Sequence, residues 1–313
     1  MSKAQDRTLT AACHCRSVHF TLTLPTSTFP LQAHICHCAI CRTTHGALAS
    51  FHAPLPMAIE AEFITPSSTS NMTGYTHVNA TSTRYFCSTC GCHIADREKG
   101  WREGGEWNVS ISIFDQNNNQ ACWVIDEHYF VGSTGNGTLP DVNRDKGKIT
   151  APKPDQAERK DKDKQTFLAK CHCDGVSFNI SRPRQEYINF PTSNGWIHES
   201  DASKWLALID ACSNCRLVTG SHAIGWLFVS MEHITPSLPD NLLIGTSESH
   251  VSSKGVYRTF CGKCGATVLY SHTSRPGVVD VATGILHAKE GVMLRIQLSR
   301  PRDAWGYSVG LVD

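Results

Sequence analysis

The sequence Arg84-Tyr85-Phe86-Cys87-Ser88-Thr89-Cys90-Gly91 reveals how the chain is organised, because its pattern returns 174 residues later as Arg258-Thr259-Phe260-Cys261-Gly262-Lys263-Cys264-Gly265. At the same offset, Cys38 and Cys41 return as Cys212 and Cys215. Four cysteines that keep one register are poorly explained by chance. The pattern predicts two tandem copies of one domain.

The repeat begins near the start of each copy. Cys13-His14-Cys15 returns as Cys171-His172-Cys173, and each motif is followed by an alternation of apolar and polar residues typical of a half-buried strand. The offset here is 158 residues rather than 174, so the second copy contains a net insertion of 16 residues between Cys173 and Cys212. We expect this insertion around residues 193–205.

The length of 313 residues suits two domains at about 150 residues each. We predict a first domain over residues 8–140 and a second over 167–313. Residues 141–166 contain Pro152, Pro154 and a run of alternating charges at 158–164, which indicates a solvated linker. A basic interaction tail is the alternative interpretation of that run.

Strand-like runs bounded by Gly, Pro, Asn and Ser dominate both copies, and long helical periodicity is scarce. The clearest runs cover residues 107–114, 122–131, 223–230 and 278–286. The predicted fold class is therefore mainly β.

Charge and hydropathy exclude several classes of protein. The 29 Lys and Arg residues nearly balance 28 Asp and Glu residues, and the formal net charge of +1 does not favour nucleic-acid binding. The chain lacks an apolar signal segment and a run of about 18 apolar residues, so we expect a cytoplasmic protein that does not bind membranes. In a reducing compartment its 15 cysteines stay available for metal.

Two groups of cysteines in the first copy have the spacing of zinc ligands. Cys13 and Cys15 with Cys87 and Cys90 make four thiolates, which indicates a closed tetrahedral site with a structural role. Gly91 follows Cys90 because glycine tolerates the positive φ of the tight C-x-x-C turn.

The second group is Cys36, Cys38 and Cys41, and it leaves a fourth zinc position for a substrate. A soft tris-thiolate centre favours another sulfur ligand, so we predict chemistry on a thiol or a thiol adduct. A histidine could instead close the site, and the candidates are His34, His37 and His45. Cys92 is a further candidate for that ligand, and disulfide pairing is the last alternative.

The second copy keeps only one group intact. Cys171, Cys173, Cys261 and Cys264 repeat the four-cysteine pattern, but Asp210 replaces the leading cysteine before Cys212 and Cys215. A carboxylate is a harder ligand, so we predict an empty second site, with an altered Asp210, Cys212 and Cys215 site as the alternative. The zinc count is two in the first copy and at least one in the second. With three zinc ions bound to eleven cysteine thiolates, the chain would carry a net charge of about −4.

Three motifs in combination resemble the glutathione-dependent formaldehyde-activating enzyme family, which includes centromere protein V. They are C-x-C with a following small-x-V-x-F strand at residues 13–20, C-H-C-x-x-C-R at 36–42, and R-x-F-C-x-x-C-G at 84–91. The resemblance covers both copies. The departures are Arg16 after Cys15, Asp174 before Gly175, Asp210 itself, and Arg295-Ile296-Gln297 where the first copy has His128-Tyr129-Phe130.

The resemblance implies two zinc-binding β-tent domains and a carbon–sulfur lyase activity. In this family Cys13, Cys15, Cys87 and Cys90 would hold a structural zinc ion, and Cys36, Cys38 and Cys41 the catalytic one. The functional prediction is a zinc-dependent lyase that acts on glutathione or a glutathione adduct, with zinc binding the substrate sulfur. A non-enzymatic, zinc-stabilised protein-interaction module is the alternative.

Two residues beside the three-cysteine group have open roles. Arg42 could attract a carboxylate of glutathione, but a surface charge is the favoured interpretation. His37 could carry a proton, because the ordinary pKa of histidine suits that role.

Overall fold

Each repeat builds its own sheets in the computed structural model, which describes residues 5–56, 59–98, 107–134, 166–184, 187, 195–198 and 201–287. Within these ranges no sheet combines strands from both repeats, and each repeat has one short α-helix. The prediction of a mainly β fold is confirmed. The predicted linker, apart from Thr166, and the residues at 295–297 lie outside the described ranges. Among the described residues, no helix has the length and apolar character that a membrane crossing requires.

The first repeat has a three-stranded sheet in the order β1-β2-β5 and a seven-stranded sheet in the order β10-β3-β4-β9-β8-β7-β6. Its strands are β1 (Asp6–Ala12), β2 (His19–Pro25), β3 (Leu31–Cys36), β4 (Ser50–Pro54), β5 (Glu62–Phe63), β6 (Met72–Tyr75), β7 (Ser82–Cys87), β8 (His93–Glu98), β9 (Trp107–Ser110) and β10 (Trp123–Tyr129). Helix α1 (Ala39–His45) joins β3 to β4.

The second repeat has sheets in the orders β17-β12-β11-β22, β13-β14 and β15-β16-β21-β20-β19-β18. Its strands are β11 (Thr166–Lys170), β12 (Ser177–Ser181), β13 (Ile197–His198), β14 (Asp201–Trp205), β15 (Ala207–Asp210), β16 (Ile224–Ser230), β17 (Ile234–Thr235), β18 (Ser247–Ser253), β19 (Val256–Cys261), β20 (Thr267–His272), β21 (Val278–Ala282) and β22 (Leu286–His287). Helix α2 (Ser213–Thr219) joins β15 to β16.

The two large sheets place corresponding strands in the same order. The series β3-β4-β9-β8-β7-β6 matches β15-β16-β21-β20-β19-β18, and all of these neighbours are antiparallel. In the first repeat, the parallel strand β10 also pairs with β3. Strand β3, which leads to Cys36, therefore has a paired strand on both sides.

The alternation predicted after each C-x-C motif is confirmed. Val18, Phe20, Leu22 and Leu24 are buried in the first repeat, and Val176, Phe178 and Ile180 in the second. The polar residues between them face away from the core, so each strand is apolar on one face only. Full burial of such a side chain contributes roughly 1.5–3 kcal/mol, which makes these strands anchors for the sheets.

Two of the predicted strands end early. The run at 107–114 divides into β9 and a buried 3₁₀ turn at Ile111–Ile113, and the run at 278–286 divides into β21 and a buried 3₁₀ turn at Thr283–Ile285. Each turn brings backbone carbonyls to the helix of the opposite repeat, since Ser112 O accepts from Arg216 and Gly284 O accepts from Arg42. The strands stop where the chain meets the other repeat. The runs at 122–131 and 223–230 are strands β10 and β16 with slightly shorter bounds.

The region of the predicted insertion contains the hairpin β13-β14. It ends on Trp205, which is buried and whose Nε1 donates to Ser181 O at 2.9 Å. In the described part of the first repeat, β2 and β3 are joined by a short 3₁₀ turn with no such hairpin. The added residues therefore cover the end of β12.

The repeats contact each other through equivalent groups. His14 N donates to Leu217 O at 3.0 Å, and His172 N donates to Thr43 O at 3.2 Å. Each donor lies between two cysteines of a C-x-C motif, and each acceptor lies in the helix of the opposite repeat. The pairing is reciprocal, as in an interface with approximate two-fold symmetry.

The repeated C-x-x-C-G turns also lie at this interface. Gly91 and Gly265 have φ values of 77° and 79°, as the turn requires. A Cβ on Gly91 would lie 2.4 Å from the Phe260 ring, and one on Gly265 would lie 2.6 Å from the Phe86 ring. These two glycines are therefore needed both for backbone conformation and for the close approach of the two repeats.

Candidate metal centres

The cysteines of the first candidate site come together where β3 meets α1. Cys36 ends β3, Cys38 caps the helix, and Cys41 lies in its first turn, with the Cys41 amide donating to Cys38 Sγ at 3.2 Å. The three sulfurs lie within 4.8 Å of one another. Cys36 and Cys41 are buried, and Cys38 is partly exposed. Cys38 is therefore the most exposed of the three cysteines.

The three sulfurs are too crowded to be thiolates without a cation among them. Contacts with Cys36 and Cys41 lower the pKa of Cys38 to about 3, and contact with Cys38 raises the pKa of Cys36 far above its ordinary value. Without a cation the group retains protons, and binding of a divalent metal ion would displace them. Zinc fits this donor set because thiolate is one of its preferred ligands.

No histidine joins the three sulfurs as a fourth donor within the described residues. His37 Nε2 lies 3.1 Å from His128 Nδ1, and His45 Nδ1 donates to the Cys41 carbonyl at 2.8 Å. Burial lowers the pKa of His34 to about 4. None of these rings is therefore placed as a fourth protein ligand.

One expectation about a neighbouring residue is wrong, and the role of His37 is not tested. Arg42 is not a surface charge: it is 5% exposed, and its Nη1 donates to two backbone carbonyls of the second repeat. Burial, followed by the nearby His128, lowers the pKa of His37 to about 4. Its role as a proton carrier stays a prediction.

Arg84 supplies positive charge beside the three cysteines, and its role was not anticipated. Its Nη2 lies 3.8 Å from Cys41 Sγ, while the buried Nε and Nη1 have no hydrogen-bond partner among the described residues. Its cross-strand partner is Asp96, whose pKa burial raises to about 7. A buried cation suits a metal centre with three thiolates, since such a centre is anionic. The return of Arg84 as Arg258 was the sequence signal for this role.

The first four-cysteine group joins the start of the repeat to its later half. Cys13, Cys87 and Cys90 are buried and Cys15 is partly exposed, and the four sulfurs lie within 4.8 Å of one another. The Val18 amide lies 3.4 Å from Cys13 Sγ and donates to it. Amide donation to sulfur stabilises a thiolate, so this group fits a closed zinc site.

The second four-cysteine group has the same construction. Cys171, Cys173, Cys261 and Cys264 lie within 4.8 Å of one another, and the Val176 amide donates to Cys171 Sγ at 3.3 Å. Its burial follows the same pattern as in the first repeat. All fifteen cysteines of the chain are free thiols.

The altered group of the second repeat is also assembled. One ligand atom each from Asp210, Cys212 and Cys215 lies within 4.8 Å of the other two. Asp210 Oδ1 accepts from the Cys212 amide at 2.7 Å, and Oδ2 lies 3.2 Å from Cys215 Sγ. Arg258 donates to Cys215 Sγ from both Nη atoms, at 3.5 and 3.4 Å. The Asp210 carboxylate and the Arg258 guanidinium therefore already provide hydrogen-bond partners for the Cys212 amide and the Cys215 sulfur.

Cys92 does not belong to any of these groups. Its side chain is fully buried, its thiol donates to His93 O at 3.6 Å, and burial followed by the charges of Cys87 and Cys15 raises its pKa. It lies beside the first four-cysteine group rather than at Cys36, Cys38 and Cys41. The possibility that Cys92 closes the three-cysteine site is therefore excluded by its position.

The family of the chain follows from a family model that matches most of its length. The family model described as "Glutathione-dependent formaldehyde-activating enzyme" matches residues 8–133 and 198–298. A crystal structure of a Rhodobacter sphaeroides protein matches at 22% identity and a TM-score of 0.27, covering 37% of this chain and 99% of that one. No curated protein matches the chain.

Proposed function

Because the chain belongs to the glutathione-dependent formaldehyde-activating enzyme family, we propose that its first repeat is a zinc-dependent carbon–sulfur lyase acting on glutathione or a glutathione adduct. The observation that carries the proposal is the group of Cys36, Cys38 and Cys41. Its sulfurs lie together beside a partly exposed edge, and no other protein donor joins them within the described residues. We further propose a cytoplasmic location, since a reducing compartment keeps these thiols free.

Cys36, Cys38 and Cys41 would hold the zinc ion, which acts as a Lewis acid and lowers the pKa of a bound thiol. In the joining direction, the glutathione sulfur adds to a carbonyl carbon and its proton passes to the carbonyl oxygen. In the lyase direction, this carbon–sulfur bond breaks and the proton returns. Arg84 lies beside Cys41 Sγ and would stabilise its thiolate.

The two four-cysteine groups would hold zinc in a structural role. Four thiolates complete the tetrahedral shell and leave no position for a substrate. Each group connects a C-x-C motif near the start of its repeat with a C-x-x-C turn about 75 to 90 residues later, and so closes a long loop. With an empty Asp210 site, we expect three zinc ions per chain.

Cys38→Ser tests the proposed activity. We expect this variant to lose one of the three zinc ions and to reduce lyase turnover to background, because serine is a poor zinc ligand. Zinc is counted by atomic emission. In the cobalt-substituted parent protein, glutathione should change the thiolate-to-cobalt charge-transfer absorption, and in Cys38→Ser it should not.

Cys212→Ser is the matched control, since Cys212 occupies the equivalent place in the second repeat. It should retain three zinc ions, the glutathione response and the turnover. If Cys38→Ser keeps all three properties, the lyase assignment fails. A parent protein that binds zinc at Cys36, Cys38 and Cys41 without responding to thiols would support a zinc-stabilised interaction module instead.

Asp210→Cys tests whether Asp210 alone prevents zinc binding at the altered site of the second repeat. We expect the zinc content to rise from three to four ions per chain, because the variant restores three soft donors in an assembled group. Asp210→Ser, which removes the carboxylate without adding a thiol, should leave the content at three. A parent protein that already holds four ions would show that the Asp210, Cys212 and Cys215 group binds metal as it stands.

A further inference from the structure

The helix that carries Cys41 is held from outside its own repeat. Thr43 O accepts from His172 N at 3.2 Å, and Gly46 O accepts from Gly284 N at 3.1 Å. Both donors belong to the second repeat, and His172 lies between two cysteines of the second four-cysteine group. The carbonyls at the C-terminal end of α1 would otherwise lack intrahelical partners. The second repeat therefore completes the hydrogen bonding of this helix.

Arg42 makes the contact with the second repeat that most requires hydrogen-bond partners, because its charged side chain is buried. The residue is 5% exposed, and its Nη1 donates to Gly284 O at 2.8 Å and to Leu286 O at 3.2 Å. A buried charge is costly unless hydrogen bonds compensate it, and here the compensating oxygens lie on the other repeat.

The second repeat has an arginine at the equivalent position, which can be compared with Arg42. Arg216 follows Cys215 as Arg42 follows Cys41, and its Nη1 donates to Ser112 O of the first repeat. Arg216 is only partly buried, and its helix carries Cys215 and is capped by Cys212 of the altered group. Because the two arginines bridge the same interface in opposite directions, loss of either weakens the contact between the repeats. Only Arg42 is adjacent to the three-cysteine group.

We propose that the second repeat positions the metal-binding cysteines of the first, and that Arg42 is the positioning residue that fixes α1 against the carbonyls of Gly284 and Leu286. The proposal rests on the proposed function, in that Cys36, Cys38 and Cys41 must hold a metal ion. The second repeat would then act as a permanent partner subunit, retained for its contact surface although its own three-residue site is altered. Cys41 and Cys38 respond to Arg42 because all three residues lie in or cap one short helix.

The test is the rate and affinity of zinc release to a chromogenic chelator, measured on the full chain with Arg42→Met, Arg42→Lys and Arg216→Met. The zinc ion that is lost in Cys38→Ser is assigned to the three-cysteine site. We expect Arg42→Met to weaken zinc binding at this site by about 10- to 100-fold, the range for loss of a group that orients metal ligands, while the other two ions stay bound. Arg42→Lys should restore part of the affinity, since its ammonium keeps the charge and can donate to one carbonyl.

Arg216→Met should leave zinc affinity at the three-cysteine site within twofold of the parent value. If Arg42→Met also stays within twofold, or if Arg216→Met weakens the site equally, the positioning role is overturned. If Arg42→Met does not fold, the Arg42→Lys affinity decides, and a value equal to that of the parent overturns the proposal. If the parent protein and Cys38→Ser hold the same number of zinc ions, the three-cysteine site of the parent is empty, and both the proposed function and this inference are overturned. If the parent holds this ion and Arg42→Met does not weaken its binding, only this inference fails.

Discussion

Cys264→Ser is expected to release one zinc ion and to unfold the second repeat, whereas Cys215→Ser should leave the zinc content unchanged. Cys264 is fully buried, and its sulfur belongs to the closed group with Cys171, Cys173 and Cys261. Structural zinc contributes roughly 10–16 kcal/mol of apparent binding free energy in small zinc domains, and a folded domain has only about 5–15 kcal/mol of net stability. Loss of one ligand therefore removes most of what keeps this repeat folded.

The measurement is zinc content by atomic emission, together with urea unfolding followed by near-ultraviolet circular dichroism. Cys215→Ser is the matched control because Cys215 is also a buried cysteine of the second repeat. It contacts Asp210 and Arg258, so we expect a modest loss of about 1–3 kcal/mol from the unpaired polar groups. Equal zinc losses from the two variants would contradict this division and would indicate a working metal site at Asp210.

The cysteine groups could be predicted from the sequence because repetition reveals ligand sets. One register relates Cys87 and Cys90 to Cys261 and Cys264, and the groups predicted from it are the groups that the structure assembles. Alternation after each C-x-C motif likewise revealed the buried strands. These features depend on residue type and spacing, which the sequence states directly.

The contact between the repeats could not be predicted, because many of its hydrogen bonds end on backbone atoms. The amide of His172 and the carbonyls of Thr43 and Gly284 have no sequence signature, so nothing marked them as partners. Arg42 was assigned to the surface for the same reason. Charged side chains are usually exposed, and the carbonyl oxygens that compensate this one lie more than 240 residues away in the chain.

The polar surroundings of the three-cysteine group distinguish the two repeats more strongly than Asp210 alone. At the equivalent places, His52 is replaced by Trp226 and Asp96 by Tyr270. The Arg258 guanidinium lies over the Tyr270 ring, 4.8 Å from its centre, and donates to Cys215. The three-cysteine group of the first repeat therefore lies beside charged side chains, while the equivalent group of the second repeat is already paired with Asp210 and Arg258. Asp210→Cys should accordingly restore metal binding without restoring turnover.

Gly46→Ala is expected to destabilise the chain by about 2–5 kcal/mol, because Gly46 lies directly against a strand of the second repeat. Its φ of 71° costs an alanine roughly 1–2 kcal/mol, and a Cβ at this position would lie 2.2 Å from Thr267 O of the second repeat. That oxygen belongs to strand β20 and cannot rotate away as a side chain could. Overpacking against a fixed group adds about 1–3 kcal/mol.

Gly277→Ala separates these two contributions in a urea unfolding experiment. Gly277 has a similar φ of 81°, but nothing lies within 4 Å of the Cβ position, so its substitution should cost only the backbone penalty. Equal losses for the two variants would show that the repeats can move apart at no cost. A larger loss for Gly46→Ala would show that they cannot, because a Cβ at Gly46 meets the opposing strand and one at Gly277 meets nothing within 4 Å. In that case the close approach of the second repeat to the end of α1 is itself a source of stability, and a side chain as small as one methyl group is enough to disturb it.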